Sequence, residues 1–406
     1  MDTLDPVDAV VIGAGFGGLA AALTLAEGGH SVRLFEALKY PGGCASTFEK
    51  GGARYETGAT LFSGLGPRGL FGRWKETHDL DVEFHFPDPP VELRTPSLTL
   101  PVSTDRAAFI DRLCALPDAP EPGIRAFFRE QGQVADALWP VLERSGRLPP
   151  FADGGLTWHL GRAHRYLPLL RQVGRPALAA LERHGLADWR PLRTWVDALC
   201  QITVQASAAD AEAPFALSTL DYCFRGTGHV RGGVGALARA MVGAIERAGG
   251  RVEMPARVRA LEPDGDAWRV TARGQQVRAR HVVGNLLPQA LAGMMAHPPV
   301  GLARLQQPVD AGWSACMLYL RVRPDPALRP EPHHLELVAD EDAPFTDGNH
   351  VFVSLTGVDE ARARDGERTV TVSTHVRPTA PGDDPAAAAA AAAVHARMQA
   401  TLEALA

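Results

Sequence analysis

The stretch from Val7 to Glu36, VDAVVIGAGFGGLAAALTLAEGGHSVRLFE, constrains the fold more than any other part of the chain. Val7 to Ile12 is a short β-branched run, Gly13-Ala14-Gly15-Phe16-Gly17-Gly18 supplies a G-x-G-x-x-G pattern, and Leu19 to Ala26 holds strong helix formers. Ser31 to Phe35 reads as a second strand. In such a strand–turn–helix–strand unit Gly13 permits the tight turn, Gly15 lets backbone N–H groups approach a pyrophosphate, and Gly18 lets the helix close on the sheet. The pyrophosphate would sit at the positive helix N-terminus, and Glu36, ending the second strand, is placed to accept hydrogen bonds from ribose hydroxyls. A nucleotide site is the expectation; a glycine-rich turn in another kind of α/β protein is the alternative.

At 406 residues the chain is long enough for two domains. A net charge of -6 with 22% charged residues gives no case for a nucleic-acid partner. Cys44, Cys114, Cys200, Cys223 and Cys316 are scattered and odd in number, with no C-x-x-C spacing, so neither a disulfide framework nor a zinc site is indicated and a reducing, cytoplasmic compartment is expected. The apolar run Ala9 to Ala26 is broken by four glycines and preceded by Asp2, Asp5 and Asp8, which argues against a membrane span or secretion signal.

Downstream of Glu36 the chain reads ALKYPGGCASTFEKGGARYETGATLFSG. A second strand ending in Glu36, then Ala37, Pro41-Gly42-Gly43 and later Gly58-Ala59-Thr60, resembles the flavin amine oxidase and phytoene desaturase superfamily. The sub-pattern PGGCASTF is similar to carotenoid desaturases and isomerases in particular. The resemblance implies an α/β fold: a Rossmann-like FAD-binding domain of the amine-oxidase type, interleaved with an α+β substrate domain. It implies FAD as cofactor, with the Gly42-Gly43 loop approaching the diphosphate and the Gly58-Ala59-Thr60 turn lying along the flavin, both by backbone. Side-chain-free positions suit that task because main-chain donors can then reach a large anionic cofactor. Cys44 reads as a small buried residue under the cofactor rather than a reactive thiol, since no base accompanies it in sequence.

The rest of the chain divides into a substrate domain at 81–225, strands first and then helices, a return to the FAD-binding domain at 226–300 that completes 1–80, and a substrate-domain sheet at 301–380. Asp105 to Leu116 and Gly123 to Leu142 read as helices, the first capped by Thr104 or Asp105. Leu156 to Leu181 carries Arg162, Arg165, Arg171 and Arg175 with no acid, together with Trp158, Tyr166 and several leucines. Such a stretch suits either a solvated helix face or peripheral contact with a bilayer on its inner face. GTGHVRGGVG at 226–235 leads into a helix near Ala236 to Ala248, then a strand near Arg251 to Val258. The resemblance places that strand by the adenine, giving Val258 a backbone role, and places Asn285 in a turn near the nucleotide; a plain strand-ending turn explains Asn285 equally well. His333-His334 is read as structural, because adjacent strand residues face opposite ways and cannot readily share one ion. Asp384-Pro385 starts an alanine-rich helix through Ala406. The resemblance implies a further FAD-contacting segment after such a helix, and 381–406 shows none.

No Ser-His-Asp, Cys-His or paired-carboxylate pattern stands out, so no catalytic base and no metal ligand is nominated. The expected activity is that of an FAD-dependent oxidoreductase on a long apolar polyene or isoprenoid, most readily a phytoene or 3',4'-desaturase. A carotenoid isomerase or retinol-saturase-like enzyme would use the same cofactor residues. A non-enzymatic relative of the GDP dissociation inhibitor kind and a plain nicotinamide dehydrogenase are the alternatives from other classes.

Overall fold

The computed structural model describes residues 2–143, 145–149, 151, 154–323, 325, 329–378 and 385–406. Its first sheet is built on β1 (Asp2–Ile12), which runs into the glycine turn; α1 (Phe16–Glu27) follows, then β2 (Val32–Phe35). β1 begins earlier than its apolar run, because Asp2 to Leu4 also pair, with an irregularity in register between Leu4 and Val7. β2 and Gln275–Gly284 flank β1, both parallel to it. Arg251–Glu253 adds in parallel outside β2, while Ala267–Ala272 and Val258–Asp264 continue the other side as an antiparallel arm.

The sequence reads a single strand from Arg251 to Val258, but the structure forms two on opposite edges of the sheet. Pro255 lies between them and has no N–H to offer a ladder. α1 packs beside the helix Val234–Arg247, burying Leu19, Leu23, Leu237, Met241 and Ile245 in one cluster.

The second six-stranded sheet joins two distant parts of the chain. Val91–Arg94 and Thr99–Val102 form a hairpin, and Val91–Arg94 lies parallel to His333–Val338. His350–Leu355, Arg368–Val376 and Ser314–Val322 complete the sheet in antiparallel order. The helix Pro385–Leu405 packs on three of its strands through Val394 and Met398, while Asp384 lies outside the described residues. Between the two sheets in sequence comes a helical layer. Arg106–Cys114 is capped by the Asp105 carboxylate, which accepts from the N–H groups of Ala107 and Ala108. Glu121–Leu142 and Arg190–Thr203 pack with it around Phe109, Phe127, Phe128 and Trp195.

The segment at 156–181 is not one amphipathic helix. Gly155–Gly161, a single turn at Leu167–Leu170 and Leu178–Arg183 are separate pieces. Gly161, Pro168, Gly174 and Pro176 divide it, because glycine and proline both disfavour a continued helix. Trp158 is held between the guanidinium groups of Arg147 and Arg162, 3.9 and 4.7 Å from the ring centre. Leu156, Leu160, Leu167, Leu170 and Val173 are exposed. No helix among the described residues is long and apolar enough to cross a membrane.

Candidate functional site

The glycine turn is assembled from three parts of the chain. Gly13 adopts a left-handed backbone, φ +96°, which an L side chain rarely takes, and its N–H donates to the Phe35 carbonyl at 2.8 Å. A Cβ on Gly18 would strike the Gly13 carbonyl, so this glycine does set the closeness of helix and strand. Gly15 is the N-cap of α1. No side chain caps the helix there and its first turn holds no acid, which leaves backbone donors directed at whatever lies beyond.

Glu36 closes the turn from β2. Its Oε2 accepts from the Ala14 N–H and its Oε1 from the Leu38 N–H, each at 2.7 Å, and the residue is buried. The carboxylate therefore fixes the turn, and each oxygen keeps a lone pair for a further donor. Ala37 follows it in the connection out of β2. The Gly42-Gly43 loop docks directly on the turn. Gly42 N–H donates to the Ala14 carbonyl at 2.7 Å, and a Cβ on Gly43 would lie 3.4 Å from Gly15 Cα.

Asn285 reaches the same place from the end of Gln275–Gly284. Its N–H donates to the Ile12 carbonyl at 2.8 Å. A Cβ on Gly15 would lie 2.6 Å from Asn285 Nδ2, and one on Gly17 2.7 Å from its Oδ1. Both glycines thus clear room for the amide, a job that the spacing of the fingerprint does not reveal. The amide itself makes no side-chain hydrogen bond among the described residues.

Two further positions differ from expectation or extend it. Cys44 is exposed rather than buried, because the left-handed Gly42 and Gly43, φ +108° and +62°, turn the chain outward before it. Its carbonyl, not its thiol, meets the Gly58-Ala59-Thr60 turn: a Cβ on Gly58 would lie 2.8 Å from it. Val258 is buried in a cluster with Val10, Ile12 and Phe35 at the start of the strand on the opposite edge of the sheet from Arg251–Glu253, two residues after Ala256, whose N–H donates to the Glu36 carbonyl.

Beyond the turn, Phe16 packs against Phe62 and Phe71, the three ring centres 5.6 to 5.7 Å apart. Phe62 and Phe71, backed by Phe16, line a cleft of about 1090 Å³ that begins at Ala59, next to buried Thr60. Leu61, Leu70, Trp139, Leu142 and Tyr222 supply more of its lining. Tyr222 donates its hydroxyl to the Leu61 carbonyl at 2.6 Å, and burial pushes that hydroxyl well above its ordinary pKa, so it serves as a fixed donor rather than a base.

Sequence reading missed a buried polar latch that supports this site. Arg362 pairs with Glu56 and, at 2.7 Å, with Glu360; Glu360 also receives His229 Nε2 at 2.9 Å. Glu56 accepts from Thr47 Oγ1 at 2.8 Å and from the Val234 N–H at 3.2 Å, tying together β3 (Thr47–Lys50), β4 (Ala53–Glu56) and the helix at 234. Burial raises the Glu360 pKa, but the hydrogen bond and charge of His229 and the charge of Arg362 outweigh it and hold the carboxyl far below the usual range. His333 and His334 do separate: His334 is buried, accepting from or donating to Ser354 Oγ at 2.9 Å, and His333 is only half-buried. No group of three metal-ligating side chains occurs among the described residues.

An uncapped helix start, a carboxylate at the end of the second strand and glycines opened for a third element define a dinucleotide-binding α/β protein, and these residues fit such a group. Residues 16–386 match the family of flavin containing amine oxidoreductases, and the chain belongs to that family. It is 26% identical over 302 residues to prolycopene isomerase 1 of an Oncidium hybrid, covering 70% of this chain and 49% of that protein. It is 30% identical over 293 residues to the neurosporene-forming phytoene desaturase of Cereibacter sphaeroides, covering 68% and 52%. The chain spans about half the length of these curated relatives. An oxidoreductase from Methanosarcina mazei shares the fold at a TM-score of 0.68 and 17% identity, over 99% of this chain and 84% of the other.

Proposed function

We propose that the protein binds FAD and acts as an oxidoreductase on a long apolar polyene or isoprenoid, as a carotenoid desaturase. The observation that carries this reading is the position of the cleft, which starts at the Gly58-Ala59-Thr60 turn and runs away from it along Phe62, Phe71 and Trp139. A rigid chain laid in that cleft would present one of its carbons to whatever lies along the turn. FAD, when bound, supplies the hydride acceptor. The chain's own residues do the rest: Gly13, Ala14, Gly15, Phe16, Gly17 and Gly18 receive the diphosphate with Asn285, Glu36 orients the ribose, and the Gly42-Gly43 backbone closes on the other side. The aromatic wall excludes water from the reacting carbon.

A second reading keeps the same site. The relatives named prolycopene isomerase favour an isomerase, in which the cofactor residues act without net oxidation of the substrate. We further propose that the substrate is reached from a membrane surface through the exposed leucines of 156–173, flanked by Arg162, Arg165, Arg171 and Arg175.

The purified protein should be yellow, or become so with added FAD, and its absorbance should bleach on reduction. Expression in strains accumulating single carotenoids should then convert one of them, with a longer chromophore for a desaturase and an unchanged mass for an isomerase. Colourless protein that takes up no FAD would instead support a non-enzymatic binding role.

A further inference from the structure

The cleft is not lined as a slot for a bare hydrocarbon. Arg106 and Arg225 both line it, and both are anchored by Asp221, whose side chain is wholly buried. Arg106 Nη2 pairs with Asp221 Oδ1, Arg225 Nε donates to Asp221 Oδ2 at 2.8 Å, and Gln131 Nε2 donates to Oδ1 at 2.9 Å. Asp221 thereby takes donors on both oxygens. The guanidinium groups keep donors to spare: Arg106 Nε and Nη1 and Arg225 Nη1 have no acceptor among the described residues. Arg225 Nη2 is turned to Asp136, an exposed carboxylate at the rim.

The seat of Arg106 is built into the helix beneath it. Gly132 stands in the middle of Glu121–Leu142, where glycine is a poor helix former. A Cβ there would lie 2.5 Å from Arg106 Nη1. Arg106 stands over the Phe224 ring and Arg225 over the Trp139 ring, 5.6 and 5.5 Å from the ring centres, a placement that favours the cation. Charged groups fixed on aromatic faces, with donors left over and no acceptor to match, ask for an oxygen on the ligand.

We propose that the Arg106–Asp221–Arg225 cluster binds an oxygen acceptor, a keto or carboxylate oxygen, carried by the apolar chain that occupies the cleft. This rests on the apolar-substrate reading above and narrows it: the substrate is an oxygenated chain, and Arg106 and Arg225 set which carbon stands over the Ala59 turn. They are positioning residues, fixing the depth to which the chain enters.

The test offers one conjugated polyene, of fixed length, with three ends: methyl, methyl ketone and carboxylate. Binding to the purified protein is followed by quenching of the Trp139 fluorescence, with Trp139→Phe as the control for the signal. The oxygenated forms should bind about tenfold more tightly than the methyl form, as expected for a hydrogen bond to a charged donor. A preference for the ketone over the carboxylate, or the reverse, identifies which oxygen is taken, and either supports the proposal. Arg106→Met should bring the ratio of oxygenated to methyl-ended binding down to about one. Because that variant leaves Asp221 with fewer donors, Gly132→Ala, which displaces the guanidinium without removing its charge, should reduce the preference as well. Equal binding of all three ends would overturn the cluster's role and leave the apolar-substrate reading standing. Failure of all three to bind would overturn both.

Discussion

Arg362 and Glu56 form an ion pair with both side chains buried, joining the loop between His350–Leu355 and Arg368–Val376 to the hairpin of β3 and β4. Glu360 shares the same guanidinium, so removing Arg362 would strand two carboxylates away from water. Arg362→Met is expected to cost about 3–5 kcal/mol of stability, the range for breaking rather than replacing a buried pair. A urea unfolding curve measures this directly, and a loss below about 1 kcal/mol would show that the latch is dispensable.

Glu336 makes a pH prediction of the opposite kind. It lies buried in His333–Val338, and burial raises its pKa from 4.5 to about 8. A carboxyl whose folded value is raised contributes most below its unfolded pKa and loses that contribution as pH rises toward the folded one. Stability should therefore fall between about pH 4.5 and 8, by on the order of 1 kcal/mol per unit, and Glu336→Gln should flatten the slope. An identical pH profile for the variant would mean that Glu336 is solvated in solution.

Asn285 and Gly15 supply a double-mutant test of the turn. Gly15→Ala places its Cβ against the Asn285 amide and should weaken FAD binding by at least tenfold, about 1.4 kcal/mol. Asn285→Ala removes the obstacle, so Gly15→Ala should be milder in that background. Titration of apoprotein with FAD reads all four forms; strictly additive losses would deny that the two residues share a space.

Contact with lipid is tested by flotation on anionic vesicles at low salt. Wild-type protein should float, and Leu160→Glu with Leu170→Glu should keep it in the lower fraction, since these two are the most exposed leucines of the segment. Protein that ignores the vesicles would remove membrane delivery from the proposed function.

Much of the cofactor side is legible in the residues because it is local. β1, α1 and β2 follow from a β-branched run, glycines and helix formers within one short stretch. The cleft is less so. Arg106, Gln131 and Asp221 come together only when three separate segments pack, and nothing in the spacing of those residues marks them as partners. The same holds for Arg362 and Glu56, which are 306 positions apart. At 156–181 the charge pattern reads as one helix face, yet Gly161 and Pro168 outweigh it locally, since a helix is propagated residue by residue and stops at a poor one. Cys44 turned outward for a similar reason: two consecutive left-handed glycines reverse the direction a burial argument assumes.

The pairing of β1 with Gln275–Gly284 has a bearing on how the protein is made. On the ribosome the glycine turn emerges early, but the strand that backs it and the Asn285 amide that spans it arrive only after the helical layer has been synthesised. Until then the turn is half a receptacle, and a flavin would meet it without its third wall. A flavin would therefore find its complete seat only after residue 285 has been made, and protein from flavin-starved growth should be cut by protease near residue 285 more readily than flavin-loaded protein.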